Sequence, residues 1–169
     1  KITHLRLGRT EALLASTEQG NLYYWELSPE VRLTDVTRAA SQAITALEFA
    51  LGGSSVLVGD QNGDLAAWFR VRLKEEDTHW TLVKAHSFPS QGTAIRAIGL
   101  STRDRSFATA GADGSIVLRH MTSERTLLRF PSAGQGLESI LFTPRSDGLL
   151  GKRDDGHLLR FSLDNPHPE

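Results

Sequence analysis

Ala110-Gly111-Ala112-Asp113-Gly114-Ser115-Ile116-Val117-Leu118 is the stretch that decides the fold. Small residues end one apolar run, Asp113-Gly114 follows, and a second apolar run begins at Ile116. Asp-Gly or Asn-Gly between two such runs signals a tight hairpin, because the turn needs residues that adopt positive φ. Outward from Gly114, the same pattern recurs at Gly20, Gly63 and Gly156, with separations of 43, 51 and 42 residues. Asn62 and Asp155 precede two of these glycines, and Gln19 precedes the third.

Two residues past each glycine stands an aliphatic: Leu22, Leu65, Ile116 and Leu158. Five past it stand Trp25, Trp68, Arg119 and Phe161. Upstream, short apolar strands begin at Ile2, Ile44, Ile95 and Leu137. Each unit thus reads strand, turn, strand, tight hairpin, strand. A fourth strand follows in three units, at 31–37, 80–85 and 126–130, and the last unit lacks one. Four short strands per period of roughly 40–45 residues select a propeller over a sandwich or barrel. The expected fold class is all-β: a partial β-propeller of four blades, at about 1–42, 43–93, 94–136 and 137–163, with a linker at 164–169. No stretch sustains a helical stripe, so almost no helix is expected. The second unit is longer, through the charged run Lys74-Glu75-Glu76-Asp77 and through Ser87-Phe88-Pro89-Ser90-Gln91-Gly92. Both read as surface insertions, with Trp80 and Phe88 as candidate partner contacts.

The bulk numbers narrow the function classes. The chain has 169 residues, 39% hydrophobic, and a formal net charge of -1. That charge offers no global attraction for nucleic acid or an anionic membrane. Lys152-Arg153 is followed at once by Asp154-Asp155, which reads as a solvated strand edge. There is no cysteine, so disulfides and thiolate metal sites are excluded. No run reaches the roughly 18 apolar residues of a membrane helix.

Candidate chemistry is sparse, and no catalytic, cofactor-binding or metal residue is assigned. The six histidines (His4, His79, His86, His120, His157 and His167) show no ligand spacing. Asp147, Asp154 and Asp155 lack the glycine and glutamate offsets of a calcium loop, and a hairpin explains Asp155-Gly156. The serines lack a Gly-x-Ser-x-Gly elbow. Gly52-Gly53-Ser54-Ser55 is followed by neither a Lys-Ser/Thr pair nor a helix, so it is a loop and not a phosphate cradle. Arg96, Arg103, Arg105 and Arg119 could serve an anion, although solvated rim arginines explain them as well.

At these residues the chain resembles the WD-repeat family. Residues Ala110 to Leu118 resemble that family's central segment, and Phe142-Thr143-Pro144 with Asp147-Gly148 its strand-to-turn element. The resemblance implies a buried set of turn aspartate, strand tryptophan, hydroxyl and histidine within a blade. Here Trp25 and Trp68 accompany Gln19 and Asn62, whereas Asp113 and Asp155 accompany Arg119 and Phe161. No complete network is therefore expected. The blades are expected to rely on apolar packing, with Trp25, Trp68 and Phe161 wedged between sheets and Gly20, Gly63, Gly114 and Gly156 at the turns. His86 falls near the family's histidine position.

Leu163-Asp164-Asn165-Pro166-His167-Pro168-Glu169 resembles the segment that leaves the soluble domain of an extended phosphate ABC-transporter permease of gammaproteobacteria. That resemblance implies a propeller domain on the periplasmic face of the inner membrane, in a membrane-embedded parent. It also implies protein partners: the rest of the permease and the substrate-binding protein. A cytoplasmic scaffold for protein–protein interaction is the alternative. Either way the chain is expected to be no enzyme and to need no cofactor. Four such blades leave apolar faces and strand edges open, so the fragment is expected to dock on further blades or to self-associate.

Overall fold

The computed structural model describes residues 1–8, 11–72, 80–132 and 134–164. The run Lys74 to Asp77, His79, and the tail from Asn165 to Glu169 with His167 lie outside the described residues.

Among the described residues, fifteen strands form four antiparallel sheets. Blade 1 is the meander β1 (Ile2–Gly8), β2 (Ala12–Thr17), β3 (Asn21–Glu26) and β4 (Arg32–Arg38). Blade 2 is β5 (Ile44–Ala50), β6 (Ser55–Asp60), β7 (Leu65–Val71) and β8 (Thr81–Phe88). Blade 3 is β9 (Ile95–Leu100), β10 (Ser106–Gly111), β11 (Ile116–His120) and β12 (Thr126–Phe130). Blade 4 has three strands, β13 (Leu137–Phe142), β14 (Gly148–Arg153) and β15 (Leu158–Ser162). The only helical element among the described residues is a 3₁₀ turn at Leu51–Gly53. The expected fold class therefore holds: all-β, four propeller blades, the last with three strands. One boundary shifts, because β8 runs on to Phe88 and takes Ser87 and Phe88 out of the expected loop.

The hairpins at the four glycines differ from the expected turn. Only the glycine has positive φ: +80° at Gly20, +87° at Gly63, +81° at Gly114 and +87° at Gly156. The residue before it does not. In three of these turns the glycine N–H donates back to the carbonyl three residues earlier, at Thr17, Gly111 and Arg153. The turn is the three-residue type, in which a left-handed glycine closes a bulge. The aspartate therefore serves as an acceptor rather than as a residue tolerant of positive φ. Asp113 Oδ1 accepts from the Ser115 N–H at 2.9 Å, and Asp155 Oδ1 from the His157 N–H at 3.0 Å.

The described residues pack as two compact units, 1–61 with 65–87, and 62–64 with 88 onward. Each unit has its own apolar core, built by the same register rule. Cross-strand partners share a sheet face. In blade 2, the pairs Leu47–Val58, Phe49–Val56, Val56–Trp68 and Val58–Ala66 define one face, here called leading. That face packs on Ala12, Leu14, Leu22 and Tyr24, which lie on the opposite, trailing face of blade 1. In the second unit, Ile140, Leu149, Leu159 and Phe161 on the leading face of blade 4 pack on Ala97, Ala108, Ala110, Ile116, Leu118 and Phe130 of blade 3. Edge-to-face rings lock both contacts, Tyr24 with Phe49 at 6.5 Å and Phe130 with Phe161 at 5.5 Å.

Candidate functional site

The residue five positions past each glycine lands on the leading face, directly opposite Leu13, Val56, Phe107 or Leu149 of the preceding strand. Its diagonal neighbour on the same face, two residues further along that strand, is Ala15 for Trp25, Val58 for Trp68, Thr109 for Arg119, and Gly151 for Phe161. Blade 3 alone offers a hydroxyl there. Arg119 is fully buried. Its Nη1 donates to Thr109 Oγ1, and its Nη2 to the Pro89 carbonyl at 3.2 Å. Thr109 Oγ1 in turn donates to Gln91 Oε1 at 2.7 Å. Gln91 Nε2 donates to the Ser115 carbonyl at 3.1 Å and to Ser115 Oγ at 3.0 Å. Ser115 Oγ donates to Asp113 Oδ1 at 2.6 Å. A continuous polar chain thus runs from the turn aspartate to the buried guanidinium.

This network corrects the expectation that no blade completes one. Arginine takes the tryptophan place because its guanidinium, like an indole N–H, points a donor at the hydroxyl. Gln91 takes the histidine place by supplying both an acceptor and a donor. His86 does not enter it and instead lies edge-on to Phe69, with ring centres 6.0 Å apart. Arg119 also departs from the reading of a solvated rim arginine. No carboxylate pairs with it among the described residues, and its Nε has no hydrogen-bond partner. Burial, followed by the nearby Arg129 charge, lowers its pKa to about 10, so it stays a cation at neutral pH.

The other three positions are simpler. Phe161 is buried against Phe130. Trp68 is buried, but Val58 gives its indole nothing to bond, and Nε1 has no partner. Trp25 is not wedged between sheets. It lies half-exposed, stacked on Tyr23 at 5.8 Å, and Tyr24 is the ring that enters the core. The reason is positional: Trp25 lies on the leading face of blade 1, and within its unit blade 2 packs on the opposite face. The Arg70 guanidinium sits over Tyr24 at 4.4 Å and bonds Glu26 at 2.7 Å. That hydrogen bond holds the Glu26 carboxyl below its usual range.

Phe88 is buried and packed edge-on to Phe107 at 5.1 Å rather than presented at the surface. It closes a strand, which the neighbouring Pro89 disguised as loop. Trp80 is partly exposed, with Arg72 and Arg70 at 5.2 and 5.5 Å from its ring centre. The remaining arginines of the third unit do not converge. Arg96 bonds Asp154 at 2.6 Å, and Arg103 reaches the Arg145 carbonyl at 3.0 Å. The three aspartates are separate as well: Asp154 faces Arg96, Asp155 caps its own turn, and Asp147 accepts from Thr143 Oγ1 at 2.6 Å. That bond lowers the Asp147 pKa, and the His157 backbone N–H does the same for Asp155. Among the described residues no group of three or more His, Asp or Glu side chains could hold a metal, and no helix is long and apolar enough to cross a membrane.

What the described residues leave open is sheet surface. On the leading face of blade 1, Leu5 and Leu7 pair with Ala15 and Leu13, these with Tyr23 and Trp25, and these with Val36 and Leu33. Leu5, Leu7, Leu33 and Val36 are exposed. Sequence reasoning foresaw an open face but did not name these residues. The signal was the alternation of β1, in which Leu5 and Leu7 occupy the positions that Leu47 and Phe49 occupy in β5.

No family model matches the chain. The pre-rRNA-processing protein crb3/ipi3 of Schizosaccharomyces pombe is 30% identical to it over 86 residues, which is 51% of this chain and 17% of that protein. The chain thus spans well under two thirds of the curated relative it matches. Among solved structures, the crystal structure of the computationally designed Ika4 protein superposes with a TM-score of 0.76 at 16% identity, over 96% of this chain and 91% of that one. What this likeness carries is the fold, and it agrees with an all-β array of propeller blades.

Proposed function

We propose that this chain is a non-catalytic propeller module that docks proteins, and that it does so as the periplasmic domain of a phosphate ABC-transporter permease. The observation that carries the docking role is the open leading face of blade 1, with its exposed Leu5, Leu7, Leu33 and Val36 around the stacked Tyr23–Trp25 pair. Contiguous apolar surface ringed by polar groups marks an interaction site. No convergent set of titratable groups competes with that reading among the described residues: Arg96, Arg103, Arg119, Asp147 and Asp155 make separate contacts.

The transporter setting rests on the resemblance of Leu163 to Glu169 to the exit segment of such permeases, of which residues 165–169 lie outside the described residues. In that setting the domain contacts the rest of the permease and the soluble phosphate-binding protein, and the membrane helices carry the ion. The test is the parent reading frame together with protease treatment of spheroplasts. Apolar helices on both sides, and digestion of the domain from outside, are expected. A parent without membrane spans sinks the transporter setting. The second reading, a soluble cytoplasmic scaffold, is favoured by the likeness to a pre-rRNA-processing protein. It predicts further repeats of this period and co-purification with other soluble proteins.

A further inference from the structure

We propose that the leading face of blade 1 receives the trailing face of blade 4 from a second copy of this chain, so that copies associate head to tail. The inference rests on the docking role above and names the partner of that face.

The two units set the rule. In each, the leading face of one blade covers the trailing face of the blade before it, using the same cross-strand positions. Leu47, Phe49, Val56, Val58, Ala66 and Trp68 do this in blade 2. Leu5, Leu7, Leu13, Ala15, Tyr23 and Trp25 occupy the equivalent positions in blade 1. They have the composition of a covered face; Ala15 is buried and Leu13, Tyr23 and Trp25 are partly buried, yet Leu5 is 55% and Leu7 72% exposed. The surface that fits such a face, by the register of both cores, is the trailing face of another blade.

Blade 4 offers one. Leu141 pairs with Leu150, Leu150 with Arg160, and Lys152 with Leu158, which places all five on its trailing face. Leu141 is 64% and Leu158 75% exposed. The chemistry is complementary: leucines meet leucines, and the Arg160 cation meets the Tyr23–Trp25 rings, while Lys152 is held by Glu138 at 2.7 Å. A cation over an aromatic ring already serves a blade contact in the first unit, where Arg70 lies over Tyr24. Pairing two leading faces would instead set the aromatic pair against itself and leave the blade 4 leucines open. It also breaks the register that both cores share.

The test uses the 169-residue chain, Leu7→Glu, Leu158→Glu, and an equimolar mixture of the two variants, by light scattering after size exclusion at micromolar concentration. Both leucines are exposed, so each variant should keep the far-UV spectrum and melting temperature of the parent chain. Leu5→Lys and Leu141→Lys replace them if either fails to fold. The unmodified chain is expected to run at the mass of two copies or a higher multiple, and each variant as a monomer. The mixture should recover a one-to-one complex, because each variant keeps the face that the other has lost. A monomeric unmodified chain overturns the proposal, while the transporter setting keeps its own test. Persistent self-association of Leu158→Glu, or a mixture that stays monomeric, overturns it equally.

Discussion

At the residue scale, Arg119 shows how a buried cation is kept with no carboxylate paired to it among the described residues. Two neutral acceptors, the Thr109 hydroxyl and the Pro89 carbonyl, hold the guanidinium, and its Nε is left without a partner. Such an arrangement is specific rather than strongly stabilising. Truncating it removes packing and opens a cavity, so Arg119→Ala should lower stability by about 3 kcal/mol. Arg119→Met fills the same volume with no charge to desolvate, and should change stability by less than about 1 kcal/mol. Urea denaturation of both variants checks the pair. His4 makes a second case. Burial, then the Arg6 charge, lower its pKa below the ordinary 6.5, against an opposing hydrogen bond with the Thr45 backbone. The unfolded chain therefore binds this proton more readily than the folded one. Stability should fall as pH drops through 6.5 toward the lower folded-state value, and be regained above it. His4→Gln should flatten the midpoint between pH 7 and pH 5; an unchanged slope would count against the assignment.

At the element scale, the blades repeat a geometry more faithfully than a chemistry. Val58 in blade 2 stands where Thr109 stands in blade 3, diagonal to an indole whose Nε1 lacks a partner among the described residues. Val58→Thr should therefore be less costly with Trp68 present than in Trp68→Phe, by about 1 kcal/mol of coupling in a double-mutant cycle. The glycine turns separate in a similar way. A Cβ on Gly114 would lie 2.4 Å from the Gln135 carbonyl oxygen, whereas one on Gly156 meets nothing within 4 Å. Gly156→Ala should cost only the conformational penalty of positive φ, about 1–2 kcal/mol. Gly114→Ala should cost clearly more, as thermal melts of the two would show. These elements also mark how far the chain could be read in advance. The four turns and the blade order were legible because glycine, the aliphatic two beyond it and the bulky residue five beyond it recur in phase. The polar network was not. Gln91 sits in an insertion of irregular length, and an arginine in a tryptophan position reads from sequence as a solvated charge. Phe88 was misplaced for a related reason, since Pro89 signals a loop one residue after the strand has placed that ring in a core.

At the scale of the whole molecule, function follows from which faces are covered. Within each unit, apolar sheet surface is paid off against a neighbouring blade, and the chemistry-bearing side chains are absorbed by turns and single ion pairs. The open leading face of blade 1 was implicit in the repeat, because within its unit blade 2 covers only the opposite face. Its composition became clear only when the register assigned Leu5, Leu7, Tyr23 and Trp25 to one side. Trp25 illustrates the point. Sequence gives it the same place as Trp68, and the structure agrees about the place but leaves it partly exposed, stacked on Tyr23 rather than buried in its unit's core.

The turn at Gly156 has a practical consequence. Its Cβ position opens onto free space, it joins two strands of the three-stranded sheet, and its backbone hydrogen bonds are made within the hairpin, although the neighbouring Asp154 side chain reaches Arg96 in β9. A peptide tag or fluorophore-binding loop spliced between Asp155 and Gly156, with Asp154 left in place, would therefore extend only the tip of this hairpin. That position offers a handle for labelling the domain in its parent while both sheet faces stay free to engage their neighbours.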